Sequence, residues 1–118
     1  MKKIFLATAL FIGALSGCHK NIITGRSQLA LVSENEAQAM ALQQYKQFLS
    51  ESKVIPPGTS RDQEMVTRAG KRIAAAITDH YTKNGAGEAL AGYNWEFNLV
   101  DSKEVNAWCM PGGKVVVY

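Results

Sequence analysis

Four side chains in this 118-residue sequence are of the kind that serve as nucleophile, proton carrier or soft metal ligand: Cys18, His19, His80 and Cys109. A cysteine nucleophile needs a base within hydrogen-bond reach, as in a Cys–His pair. His19 directly follows Cys18, and His80 falls in a helical pattern with nothing in the sequence to bring it to Cys109. Neither histidine opens an HExxH segment, since the runs are His-Lys-Asn-Ile-Ile and His-Tyr-Thr-Lys-Asn. That motif holds Zn²⁺ with two imidazoles one helical turn apart on one face. Two dispersed histidines and one free cysteine cannot supply a preorganised ligand set. Cys109, followed after Pro111-Gly112-Gly113 by Val115, Val116 and Val117, reads as a buried strand thiol.

Cys18 has a chemistry of its own. Lys2 and Lys3 form a basic n-region, and Ile4 to Leu15 is an uncharged apolar run, long enough for a signal-peptide core and short of the ~20 residues of a spanning helix. It ends in Leu15-Ser16-Gly17-Cys18, which resembles the bacterial lipobox, where the cysteine is acylated and becomes the first mature residue. The expected organisation is a lipoprotein signal over 1–17, a lipidated Cys18 opening a tether over 18–32, and a membrane-anchored protein on the periplasmic side of a bacterial envelope. The alternative is a free or disulfide cysteine behind an ordinary cleavage site. The formal charge of +3 falls to +1 once Lys2 and Lys3 leave with the signal. Arg68, Lys71 and Arg72 share a stretch with Asp62, Glu64 and Asp79, and no basic cluster with interleaved aromatics points to nucleic acid.

The elements that must position these residues follow from periodicity. Ser33-Glu34-Asn35-Glu36 is a capping box, and Ala37, Met40, Ala41, Tyr45, Phe48 and Leu49 share one face of a helix over 33–52 that Pro56-Pro57-Gly58 stops. Ser60-Arg61-Asp62-Gln63 opens a second helix over 60–82, with an apolar stripe of Met65, Val66, Ala69, Ile73, Ala76, Ile77 and Tyr81. The period then drops to two. Tyr93, Trp95, Phe97 and Leu99 alternate with polar residues over 93–100, a second strand covers 104–110, and the valine run gives a third over 114–118. The expected fold class is α+β, two amphipathic helices followed by a three-stranded antiparallel meander laid on them.

The closing stretch Val105-Asn106-Ala107-Trp108, followed by Pro111-Gly112-Gly113 and an aliphatic strand, with Thr24-Gly25-Arg26-Ser27-Gln28-Leu29 upstream, resembles the N-terminal part of lipoprotein zinc metallopeptidases. These belong to the gluzincin family of the HtpX, mitochondrial Oma-type and CAAX prenyl proteases. The resemblance implies a zincin-like domain, incomplete over 33–118, whose HExxH helix and Zn²⁺ ligands lie beyond Tyr118, so that this chain alone would be inactive. It also implies protein or peptide substrates that add to the strand carrying Asn106 and Ala107, with Trp108 shaping the strand's other face. In that reading the strand's backbone groups hold the substrate, and the Asn106 amide can both donate and accept. The alternatives are that Asn106 caps the preceding turn and Trp108 is core, and that the whole chain is a non-catalytic lipoprotein that binds or scaffolds.

Overall fold

A computed structural model describes residues 18–21 and 24–118. The signal reading of 1–17 lies outside the described residues. The chain divides into two compact units, one up to Ser33 and one over Glu34–Tyr118.

Within the first unit, the stretch expected to be a tether holds a short antiparallel hairpin. Strand β1 (Cys18–Lys20) pairs with β2 (Ser27–Leu29), Cys18 opposite Leu29 and Lys20 opposite Ser27. Asn21 closes the connection: its N–H donates to the Arg26 carbonyl and its carbonyl accepts from Gly25, both at 2.8 Å.

The second unit is a three-stranded sheet with a helix on each face. Helix α1 spans Glu34–Glu51, with Glu34 and Glu36 in the first turn, where the helix dipole favours negative charge. Helix α2 spans Arg61–Lys83. A 3₁₀ turn over Gly87–Leu90 leads to strands β3 (Glu96–Leu99), β4 (Ala107–Met110) and β5 (Lys114–Val117).

The strand order is β3-β5-β4, with β5 parallel to β3 and antiparallel to β4. The sheet is therefore mixed, which corrects the antiparallel meander. Only β4 and β5 form a hairpin, through Pro111-Gly112-Gly113, whose two glycines adopt φ of 86° and 80°. The reason lies in the valine run. β5 is the most buried strand, with Val116 wholly enclosed, and the central place hydrogen-bonds it on both sides and covers it on both faces. β3 and β4, each carrying polar or exposed residues at alternate positions, take the flanks.

Strand alternation assigns each helix a face. Tyr45 of α1 forms the core with Val100 and Val116, supported by Phe48, Leu49, Trp108, Met110 and Tyr118. On the opposite face Gly70 of α2 lies against Phe97, so closely that a Cβ there would meet ring carbons at 2.3 Å. The sheet is sandwiched between the helices, where the sequence reading laid it on the pair of them.

The buried stripes also differ from the expected ones. On α1, Ala41 and Tyr45 are buried while Met40 is 57% exposed, because three short strands cover only a narrow band of the helix. On α2 the covered positions centre on Gln63, Gly70 and Ala74, leaving Met65 and Ile73 exposed. The small residues face the sheet because the Gly70–Phe97 contact sets the distance of closest approach. Ser60 caps α2, its hydroxyl accepting from the Gln63 N–H at 3.1 Å, but the Gln63 side-chain carbonyl accepts from the Gly58 N–H. The box thereby ties the loop before the helix.

Candidate functional site

Asn106 immediately precedes β4, and Ala107 is the strand's first residue. The geometry of their backbone groups follows from the ladder. The Tyr118 N–H donates to the Asn106 carbonyl at 2.9 Å, while the Val117 carbonyl is taken by the Val100 N–H on the other side of β5. Backbone groups of successive residues point to alternate sides of a strand. Asn106, Trp108 and Met110 therefore face β5, and Ala107 and Cys109 direct their N–H and C=O groups to the outer edge. No further strand pairs with that edge among the described residues. The Ala107 N–H is engaged locally by the Asn106 side-chain carbonyl at 2.8 Å. The Ala107 carbonyl and both backbone groups of Cys109 thus face outward.

The other flank of the sheet is treated differently. The segment Lys53–Ile55 runs against the end of β3 through the Val54–Val100 bridge, with Ile55 N–H donating to Leu99 and Asp101 N–H to Lys53. A Lys53–Asp101 ion pair closes the same junction. Among the described residues, β4 is the flank with no further strand beside it.

Two sequence expectations meet the structure here. Trp108 is turned inward, edge-on to Phe48 at 4.9 Å between centroids, its indole N–H donating to the Tyr118 hydroxyl at 3.0 Å. Cys109 is exposed, against the buried thiol expected. It lies one residue from Trp108 on the opposite strand face, at the flank of the sheet. Sequence reasoning also left Cys109 out of the edge; the signal was its place two residues after Ala107, which gives both the same backbone direction.

Behind the edge strand is a polar group that the sequence reading did not single out. Lys114 opens β5 opposite Met110 of β4 and Glu96 of β3. Its side chain is 5% exposed, and its ammonium donates to a Glu96 carboxylate oxygen at 2.9 Å and to the Asn94 carbonyl. It lies 6.0 Å from the centre of the Tyr45 ring. The Tyr45 hydroxyl accepts from the Asn98 amide. Burial, reinforced by the Glu96 carboxylate, pushes the Tyr45 phenol up to about 12. The arrangement is fully paired and joins α1, β3 and β5 next to the hairpin turn that aims β4. A lysine at the head of an apolar strand, between Gly113 and Val115, was the sequence signal for it.

A nucleophilic or metal centre is a different matter. His80 is on the last turn of α2 and Cys109 on β4, and among the described residues no group of three or more His, Cys, Asp and Glu side chains could hold a metal ion. The described residues therefore bring no zinc-ligand set together. Cys18 is the first residue of β1.

No family model matches the chain, and no solved structure does. A relative is found in Bos taurus, the mitochondrial metalloendopeptidase OMA1, with 27% identity over 98% of this chain. The chain spans 19% of that relative's length. At that level the similarity relates the chain to a metalloendopeptidase, over a segment that includes the free edge strand.

Proposed function

We propose that this chain supplies the substrate-holding edge of a zinc-dependent metalloendopeptidase, anchored through Cys18 to a bacterial membrane and acting on extended segments of envelope proteins from the periplasmic side. The observation that carries the reading is the open edge of β4, with the outward backbone groups of Ala107 and Cys109 beside Asn106. Similarity to a metalloendopeptidase along nearly the whole chain supports it. An unfolded or extended segment adds to such an edge as a fourth strand, held through its main chain whatever its side chains are. Each bond contributes about 0.5 to 1.5 kcal/mol net, so a few bonds bind the segment weakly enough for release. The zinc, which would polarise the scissile carbonyl and its attacking water, is held in this reading by residues other than those described.

Two measurements test the proposal separately. Chelator-sensitive hydrolysis of an unfolded protein by the full-length gene product tests the peptidase, and its absence would leave a non-catalytic binding lipoprotein. Labelling with a radioactive fatty acid tests the anchor: the wild-type protein incorporates label and Cys18→Ser does not, whereas equal labelling of the two would remove the anchor from the account.

A further inference from the structure

The charges of the chain are unevenly placed. From Cys18 to Ser33 there are two basic side chains, Lys20 and Arg26, and no acidic one, whereas from Glu34 to Tyr118 nine basic side chains face ten acidic. The positive surplus that remains after the signal is therefore confined to the sixteen residues of the hairpin and its exit. Among the described residues, the same stretch carries exposed apolar side chains. Leu29 is 64% exposed, Leu31 87% and Val32 52%. A two-stranded hairpin with three-residue strands is marginal in water and needs a surface to pack against. Its register sets Leu29 directly across from Cys18, the residue proposed to carry lipid.

Cationic and aliphatic residues within one short unit, next to an acyl chain, match the chemistry of an anionic lipid surface, where cations sit among the headgroups and aliphatic side chains enter the acyl boundary. We propose that the β1–β2 hairpin and its exit through Val32 form a second membrane contact, Lys20 and Arg26 engaging anionic headgroups and Leu29, Leu31 and Val32 entering the interface. The rest of the chain, with a small acidic excess, gains nothing from such a surface. This inference takes its location from the proposed Cys18 anchor, but the contact itself does not need the acyl chain.

The test uses that independence. A chain beginning at position 18 with Cys18→Ser, the mature protein without its lipid, is sedimented with vesicles of phosphatidylcholine alone or of phosphatidylcholine with one quarter phosphatidylglycerol. Each Lys or Arg at an anionic surface is worth about fivefold in partitioning, so with Lys20 and Arg26 together the anionic vesicles should bind roughly twenty-fivefold better, with the difference shrinking as salt rises from 0.1 to 0.5 M. Lys20→Glu with Arg26→Glu should abolish the preference for anionic lipid, and Leu29→Asp with Leu31→Asp should reduce binding to both vesicle types. Lys71→Glu with Arg72→Glu, on α2, should change neither. Circular dichroism verifies that each variant keeps its helices. Equal partitioning to the two vesicle types, or a loss of binding in the α2 variant but not in the hairpin variants, would overturn the proposal. Fatty-acid labelling of Cys18 reports separately on the anchor.

Discussion

Lys114 is the residue whose environment differs most from what its type prefers. Its ammonium is buried, while its partner Glu96 is 40% exposed at the side chain. The two halves of the pair should therefore respond unequally to removal. Lys114→Met leaves a carboxylate that water can reach and should cost about 1 kcal/mol, whereas Glu96→Ala strands a buried ammonium on one carbonyl and should cost about 2 to 3 kcal/mol. Denaturant unfolding of both variants checks the order; the reverse order would mean that Lys114 is solvated. Tyr45 gives a second prediction. Its phenol is raised from 10.0 to about 12 by burial first and the Glu96 carboxylate second. Because the folded value lies above the unfolded one, this contribution is complete below pH 10 and is lost as pH rises toward 12. The loss is on the order of 2 to 3 kcal/mol. Wild type should thus lose more stability than Tyr45→Phe between pH 9 and 12, and parallel curves would refute the assignment.

At the scale of elements, the Gly70–Phe97 contact fixes how α2 meets the sheet. Gly70→Ala gains roughly 1 kcal/mol of helix propensity but places a methyl group inside the Phe97 ring. We expect a net destabilisation of about 1 to 3 kcal/mol, most of it relieved when Phe97→Leu is combined with it; additive losses would show that the two do not touch. The two helices and the presence of three strands were legible, because period 3.6 and period 2 are written locally in Ala37–Leu49, Met65–Tyr81 and Tyr93–Leu99. Strand order was not. Asp101-Ser102-Lys103 has the composition of a turn between consecutive strands, and only the requirement that Val115–Val117 be covered on both faces places β5 between its neighbours. That is a property of the assembled sheet. The same holds for the rotation of the α2 stripe, set by Gly70 rather than by its larger apolar residues. The hairpin of the first unit, with strands of three residues, is too short for any period to announce.

For the molecule as a whole, the proposed function turns on the edge of β4 accepting an extended peptide. Asn106 and Ala107 could be named from sequence because a resemblance pointed to them, but the direction of their backbone groups could not, since it depends on which strand β4 pairs with. The ladder gives a direct test, because the Cys109 N–H points outward and contributes nothing to the β4–β5 pairing. Proline at that position removes one outward donor and is tolerated on an edge strand whose N–H faces solvent. The decisive measurement is an NMR titration of the chain from position 18, with Cys18→Ser, against an eight-residue extended peptide, for wild-type β4 and for Cys109→Pro. Saturable shifts confined to the amides of Asn106–Met110 and their β5 partners are expected, with affinity reduced roughly two- to tenfold in Cys109→Pro and the fold intact. Shifts centred elsewhere, or an affinity unchanged by the proline, would contradict it.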